Sequence, residues 1–249
     1  MLDGLLWFSL TLVPLVFLQR LLHREIQTVF LILTRNQTFT VGLFSLLFFP
    51  GVLLHELSHF LVARLLGVRT GRFSLIPQVT KDGRIILGYV ETARADVVRD
   101  SLIGAAPLIA GGLFLAFVSA PQLELYTLLE FAQTGRFDFF WQALAVIPQV
   151  NDFPLWFYLT FAVSSTMLPS SADRHAWTPL AVWVGALLAL IIIAGAGPWM
   201  LEHVAPPLNG FLGSVATIFG LSAAVHLILL MPTYLTHRLL SRVTHLDVQ

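Results

Sequence analysis

The sequence predicts an all-α polytopic membrane protein with about six transmembrane helices and one small membrane-associated β-hairpin. Hydrophobic residues make up 57% of the 249 positions and charged residues only 11%, whereas an average soluble domain has roughly 25% charged residues. Six apolar stretches also have lengths close to the ~20 helical residues that cross a bilayer. We therefore expect residues 1–249 to form a single integral-membrane domain in contact with the lipid bilayer.

The six apolar stretches are the predicted spans. The first lacks the positively charged start and the small-residue cleavage site of a signal peptide, so we expect it to remain as a membrane anchor. The third is rich in glycine and alanine, which is typical of closely packed membrane helices. The spans run approximately over Leu5–Leu22, Thr38–Val68, Leu102–Ala120, Phe153–Leu168, Thr178–Ile193 and Phe211–Met231.

Two segments between the spans are predicted not to cross the membrane. In residues 70–91, apolar runs flank the turn sequence Lys81-Asp82-Gly83, a pattern that favours a β-hairpin. Pro77 confines its strand to an edge or a bulge. Residues 121–152 contain a cluster of aromatic side chains, which is typical of a segment at the membrane interface.

Charge and cysteine content exclude several functional classes. The 14 Lys and Arg balance the 14 Asp and Glu, so the chain has no basic excess of the kind that nucleic-acid binding requires. The sequence has no cysteine, which excludes disulfides, thiolate metal sites and cysteine nucleophiles. Any metal ion must therefore be bound by His, Asp or Glu.

The distribution of Lys and Arg predicts the orientation, because cytoplasmic loops carry the excess of these residues. A cytoplasmic N-terminus puts ten of them inside and four outside, the four being Arg20, Arg24, Arg35 and Arg136. We therefore expect a multi-pass protein with both termini in the cytoplasm. We also expect its membrane to be the cytoplasmic membrane of a prokaryote.

The second predicted span contains the pattern H-E-x-x-H at residues 55–59. Positions four apart on an α-helix differ by ~40° around the axis, so His55 and His59 project from one face and can bind one zinc ion. Glu56 points about 100° away from His55, where it can act on a metal-bound water as a general base. Ionisable side chains inside a bilayer are costly and usually mark a functional site. A cluster that only joins helices by hydrogen bonds is the alternative.

A catalytic zinc ion needs a third protein ligand and one open position. The metzincin pattern is excluded, because Val62 and Leu65 occupy the positions of its glycine and third histidine. Asp173 follows the cytoplasmic end of the fourth predicted span and can reach the depth of the second histidine. His175 and His226 remain alternative ligands, although a packing role for His226 is favoured.

Residues 50–68 resemble the zinc-binding helix of the site-2 protease family of intramembrane metalloproteases. Two further segments resemble motifs of that family, namely residues 104–107 (Gly-Ala-Ala-Pro) and residues 167–173 (Met-Leu-Pro-Ser-Ser-Ala-Asp). The resemblance covers about residues 41–177, within a predicted core of residues 38–177. It implies that Asp173 is the third zinc ligand and that the hairpin is the family's membrane-associated β-element.

We therefore expect an intramembrane zinc endopeptidase with one zinc ion per chain, close to the cytoplasmic face. Its substrates would be single-span membrane proteins, and Glu56 would transfer the proton from water to the leaving amine. An exposed edge of the hairpin can pair with an extended substrate, or the hairpin can cap the site. The resemblance implies release of a signalling domain or clearance of remnant peptides.

Two other functional classes stay open. One is a non-proteolytic transporter or scaffold that binds a metal ion, although such a protein has no use for a general base. The other is a membrane metallohydrolase that acts on a lipid or a small amide.

Overall fold

A computed structural model describes residues 3–80 and 85–244, and this part of the chain is mostly helical. The helices are α1 (Asp3–Thr34), α2 (Gln37–Leu65), α3 (Val97–Phe114), α4 (Ala120–Gln122), α5 (Leu125–Gln133), α6 (Phe137–Val146), α7 (Phe153–Thr166), α8 (Trp177–Ile191), α9 (Gly197–His203) and α10 (Ala205–Thr244). Short π-helical segments, Leu115–Ser119 and Ile192–Ala196, join α3 to α4 and α8 to α9, and a 3₁₀ turn, Ile147–Gln149, precedes α7.

Five helical stretches among the described residues are long and apolar enough to cross a membrane, which is compatible with an integral membrane protein. They are Asp3–Thr34, Gln37–Leu65, Val97–Gln122, Trp177–His203 and Ala205–Thr244. The predicted fourth span, Phe153–Leu168, is not among them. Helix α7 has 14 residues, or about 21 Å at 1.5 Å per residue, which is shorter than a hydrocarbon core of ~30 Å.

Helix α7 is instead a buried helix that packs parallel to α2. Six consecutive residues, 160–165, are buried. The hydroxyl of Tyr158 donates to the carbonyl of Leu47 at 3.0 Å. One turn further along both helices, Gly51 allows the backbones to approach, because a Cβ there would lie 2.2 Å from the carbonyl oxygen of Ala162. A glycine at this position of α2 is therefore a steric requirement.

Helices α1 and α10 run parallel to each other over most of their lengths. Near their N-terminal ends, the amide of Gly4 donates to the Asn209 side chain at 2.8 Å. Toward their C-terminal ends, Glu25 pairs with His237. The described ends of the chain therefore lie at opposite ends of this helix pair. This arrangement differs from the expectation that both termini lie on one side of the membrane.

The direction of α10 changes how Lys and Arg are distributed between the two ends of the bundle. Helix α2 is antiparallel to α1, since the hydroxyls of Thr34 and Thr40 meet at 2.9 Å where the two helices join and, further from that junction, His23 of α1 packs against Phe48 of α2. The C-terminal part of α10, which carries Arg238 and Arg242, thus lies toward the Arg35 end of the bundle rather than toward the end of α2. The asymmetry counted from the sequence becomes smaller.

Two apolar clusters fill the space between these helices. One contains Leu22, Phe48 and Val225, and the other contains Leu15 and Met167. Each cluster joins residues of α1 and α10 to residues of α2, of α7 or of the segment after α7. The core of the bundle therefore lies between the parallel pair and the helices that carry the candidate site.

Two helical regions lie outside this core. No residue of α8, α9 or the π-helical segment between them is buried, and Gly195 in that segment has φ 90°. The segment predicted to be interfacial is helical in α5 and α6, and α6 exposes Phe137, Phe139 and Trp141. Helix α8 likewise exposes large apolar side chains, among them Val182, Trp183 and Leu187, as lipid-facing helices do.

The residues after α2 form a small antiparallel β-element, which consists of β1 (Thr70–Ser74), β2 (Gln78–Val79), β3 (Ile85–Ile86) and β4 (Tyr89–Thr92). Strand β1 pairs with β4, and β2 pairs with β3. This is the order of the predicted hairpin. Pro77 lies between β1 and β2, where a ladder needs no amide donor. The predicted turn at residues 81–83 lies outside the described residues.

Candidate metal centre

Helix α2 carries the two histidines one turn apart, as the spacing predicts. Asn36 caps its start by accepting from the amides of Thr38 and Phe39, and Gly67 ends it with φ 71°, the conformation that favours glycine at helix C-termini. Between these ends, the Nε2 atoms of His55 and His59 lie 3.2 Å apart. The helix thus directs both ring nitrogens toward one point.

Backbone carbonyls from two other helices hold the opposite side of each ring. Nδ1 of His55 lies 2.7 Å from the carbonyl oxygen of Thr166, the last residue of α7. Nδ1 of His59 lies 2.9 Å from the carbonyl oxygen of Ile103 in α3. Because a carbonyl can only accept, each ring carries its proton on Nδ1 and leaves Nε2 free to bind a metal ion.

Asp173 lies on the connection between α7 and α8 and completes the group. Its carboxylate oxygens lie 3.2 Å from Nε2 of His59 and 3.7 Å from Nε2 of His55, and the amide of Ser170 donates to one of them at 2.7 Å. Burial alone would raise the pKa of Asp173, but the neighbouring histidines and Ser170 hold this pKa well below its ordinary value. Asp173 therefore carries the negative charge of a metal ligand.

The separations of these atoms fit a tetrahedral ion. Ligand atoms of His55, His59 and Asp173 all lie within 4.8 Å of one another. Two atoms that each lie ~2.0–2.1 Å from a tetrahedral zinc ion are about 3.3 Å apart, close to the 3.2 Å between the two Nε2 atoms. The three residues, called the metal group below, could therefore hold a metal ion.

Glycine residues of two other elements allow the close approach that forms the site. A Cβ at Gly104 of α3 would lie 1.9 Å from the carbonyl oxygen of Asp173. In the β-element, Gly88 lies between the two ladders, and a Cβ there would be 2.9 Å from Cγ of Glu56 and 3.1 Å from Val52. The β-element thus lies directly against the residue predicted to be the general base.

Glu56 is buried beside the metal group without belonging to it. Its exposed fraction is 7%, and it interacts electrostatically with His55, His59 and Asp173. Among the described residues, the convergent metal-binding group contains the other three residues and not Glu56. Helical geometry separates the roles, because Glu56 lies one position beyond His55 on the helix surface.

The two alternative ligands lie elsewhere. His175 is exposed, and its ring nitrogens lie 2.8 Å from the carbonyl oxygen of Ala172 and 3.5 Å from the carboxylate of Asp100. His226 is fully buried between Ser165 and Ser222. The structure thus brings Asp173, and not these histidines, to the convergent group.

A second buried acidic residue is absent from the sequence-based expectation. Helix α1 extends beyond the predicted end of the first span, and Glu25 in this extension is 5% exposed. Nδ1 of His237 on α10 is the hydrogen-bond partner of Glu25. The sequence offered no signal for this pair, because the two residues lie in helices at opposite ends of the chain.

The fold and the site together define a mostly helical, membrane-type protein with a histidine and aspartate group that could bind a metal ion. Comparisons with protein-family models, with curated proteins and with solved structures found no match.

Proposed function

We propose that this protein is an intramembrane zinc endopeptidase that acts as site-2 proteases do. The observation that carries the proposal is the convergence of His55, His59 and Asp173 beside Glu56, a buried acid that is not part of the group. Three protein ligands leave the fourth position of a tetrahedral ion open, as in catalytic zinc sites. The additional acid supplies the proton transfer that hydrolysis needs.

The donor set supports zinc as the metal. Two imidazole nitrogens and one carboxylate at near-tetrahedral separations are a common ligand set of catalytic zinc. Two histidines and one carboxylate also bind Fe(II) in oxygenases, so the test below measures both metals.

Each residue of the site has one task in peptide hydrolysis. A zinc ion held by the metal group would polarise the scissile carbonyl and lower the pKa of a bound water toward ~7. Glu56 accepts the proton of the attacking water and delivers it to the leaving amine. The hydrogen bonds from Nδ1 of His55 and His59 to backbone carbonyls keep both rings in the orientation that ligation needs.

The surroundings of the site support a membrane-embedded peptide as substrate. The exposed positions of α2 within the motif and next to it are apolar, with Leu53, Leu57 and Leu61 at 37%, 38% and 49% exposure. A helical segment keeps its carbonyls bonded, so the substrate must become extended near Glu56. The β-element lies there, and a free strand edge can pair with an extended peptide. Single-span membrane proteins fit these requirements.

We further propose that the site faces the cytoplasmic half of the membrane. Three arginines, Arg64, Arg69 and Arg72, follow His59 closely along the chain. Cationic residues next to a span favour the cytoplasmic side.

The test compares the unsubstituted chain with Glu56→Gln in membranes that contain a tagged single-span reporter. We expect the unsubstituted chain to contain about one zinc ion and little iron, and to cleave the reporter. Glu56→Gln should keep its zinc and lose cleavage by at least about 100-fold, the lower range for a general base. Elemental analysis and gel quantification provide the two measurements.

Glu130→Gln is the matched control, because this glutamate of α5 is exposed and does not belong to the metal group. It should keep both zinc and cleavage. Equal cleavage by the unsubstituted chain and Glu56→Gln would contradict the protease mechanism. Zinc binding without cleavage of any reporter would favour the transporter or scaffold.

A further inference from the structure

The hydroxyl groups at the end of α7 differ in where they bond. Ser164 donates to the carbonyl of Phe161 and Thr166 to that of Ala162, both at 3.1 Å within the same helix. The hydroxyl of Ser165 instead lies 3.0 Å from Nε2 of His226 on α10. Ser165 is 2% exposed and His226 is 0% exposed, so this bond crosses between helices in the interior of the bundle.

The direction of the hydrogen bonds follows from the partners of the ring. Nδ1 of His226 lies 2.7 Å from the carbonyl oxygen of Ser222, which can only accept. A neutral imidazole has one donor and one acceptor, so Nε2 accepts from Ser165. The side-chain amide of Gln19 on α1 donates to the carbonyl of Ser165. These four residues, Gln19, Ser165, Ser222 and His226, form the Ser165 network.

The Ser165 network ends one residue away from a contact with the metal group. Thr166 follows Ser165, and its carbonyl oxygen accepts from Nδ1 of His55 at 2.7 Å. The last carbonyls of a helix have no partner within the helix, so the direction of this carbonyl depends on the last turn of α7. Ser165 is held in that turn at both its carbonyl and its side chain.

We propose that Ser165 and His226 are positioning residues of the metal centre. They fix the last turn of α7 so that the Thr166 carbonyl holds the His55 ring with Nε2 toward the metal ion. An acceptor on the outer nitrogen orients a histidine ligand and raises its basicity. The inference gives His226, an alternative ligand by sequence, a different role. It depends on the metal-binding part of the proposed function and not on proteolysis.

The test measures metal affinity in the purified full-length chain. The metal is removed, Co²⁺ is titrated while its visible absorption is recorded, and zinc affinity follows by competition. We expect Ser165→Ala and His226→Leu each to weaken zinc binding about tenfold and to alter the Co²⁺ spectrum. Substitution of a direct outer partner of a ligand costs ~10–100-fold, and these residues act one step further out.

Two further variants separate positioning from general loss of packing. His226→Gln offers a side-chain oxygen that can accept from Ser165, so it should recover most of the affinity and the original spectrum. Combining Ser165→Ala with His226→Leu should weaken binding no more than either change alone, because both remove the same bond. Circular dichroism and thermal unfolding report whether each variant is folded.

Ser164→Ala is the matched control, because Ser164 is equally buried in the same helix but bonds only to that helix. Its affinity should equal that of the unsubstituted chain. Unchanged affinity in Ser165→Ala, or an equal loss in Ser164→Ala, would overturn the inference. Absence of zinc and Co²⁺ binding by the unsubstituted chain would overturn the proposed function itself, and this inference with it.

Discussion

Two polar clusters in the bundle, both at least partly buried, differ in how their atoms are satisfied. In the metal group, the Nε2 atoms of His55 and His59 and the carboxylate of Asp173 converge on one point. Between α1 and α10, Glu25 and His237 bond directly to each other, and Arg24 lies 3.6 Å from the Glu25 carboxylate. The ligand atoms of the first cluster could bind an ion, whereas the two side chains of the second are already bonded to each other.

This difference shows what marks a functional site among apolar helices. An ionisable residue in a membrane segment is costly and therefore suggests a function. A pair of such residues that bond to each other, however, needs no role beyond joining two helices. Convergence of donor atoms distinguishes the metal group, together with carbonyls that hold each ring from behind. The following substitutions test this distinction, from the largest to the smallest expected effect on the metal centre.

Loss of the third ligand should have the largest effect. Asp173→Ala removes the negative donor next to His59, and we expect zinc affinity to fall more than about 100-fold, beyond the range for outer partners of a ligand. The competition titration with Co²⁺ measures the change. Asp138→Ala, at an exposed acidic residue of α6, should bind zinc normally. Full affinity in Asp173→Ala with a loss in His175→Ala would move the third ligand to His175.

A methyl group at Gly104 should have an intermediate effect. The added Cβ would lie 1.9 Å from the Asp173 carbonyl oxygen, so the loop that carries the ligand must shift. We expect Gly104→Ala to weaken zinc binding roughly tenfold and to lower the free energy of unfolding by about 1–3 kcal/mol, as overpacking does. Gly112→Ala on the same helix adds a Cβ with no atom within 4 Å. Equal affinities of the two variants would contradict this steric role.

Crowding of the β-element should separate cleavage from metal binding. A Cβ at Gly88 would lie 2.9 Å from Cγ of Glu56, and the three atoms nearest to it include none from the three ligands. Gly88→Val should therefore reduce reporter cleavage about tenfold, since a displacement of ~1 Å can cost up to ~100-fold. Its zinc content should be unchanged. A parallel loss of zinc would show that Gly88 instead supports the metal group.

Disruption of the α1–α10 pair should leave the metal centre unchanged. Glu25→Ala leaves the partly buried His237 without its carboxylate partner, and loss of such a hydrogen bond costs about 1–3 kcal/mol of stability. Thermal or denaturant unfolding in detergent should show this loss, while zinc affinity stays within about twofold. Glu130→Ala, at an exposed position of α5, is the control. A large loss of zinc affinity in Glu25→Ala would mean that the two clusters are coupled.

Single cysteines should report the direction of α10 without disturbing either cluster, because the chain has no cysteine of its own. Gln37, Val243 and Thr92 are exposed residues at the start of α2, the end of α10 and the end of β4. A membrane-impermeant maleimide should label Gln37→Cys and Val243→Cys from one side and Thr92→Cys from the other. Labelling of Val243→Cys together with Thr92→Cys would instead support the topology predicted from charge.

The candidate site could be predicted from the sequence where its geometry is local. His55 and His59 face the same way because both lie on one helix with a spacing of four residues. Asp173 was expected at a similar depth, and the structure brings it to the two histidines. The supporting contacts could not be predicted, because Gly104, Gly88, Ser165 and His226 acquire their roles only through packing against other elements.

The fold shows the same division. Apolar composition predicted a helical membrane-type protein, and a turn sequence between two apolar runs predicted the β-element after α2; the structure has both. Composition does not distinguish a helix that faces lipid from one that faces protein. Helices α7 and α8 illustrate this. Both sequences are strongly apolar, yet α7 is short and buried, whereas α8 has no buried residue. The count of Lys and Arg likewise did not predict that α1 and α10 pack parallel to each other.

The sequence by itself determined the two histidines and the acid on one helix, because helical periodicity is a local property of the backbone. The tertiary structure brought the expected Asp173 to this group, and it alone decided that Gly88 lies against Glu56 and that Glu25 pairs with His237. These contacts join residues far apart in the chain. They depend on which helices pack together and in which direction, and apolar side chains that suit lipid and protein equally well do not encode that choice locally.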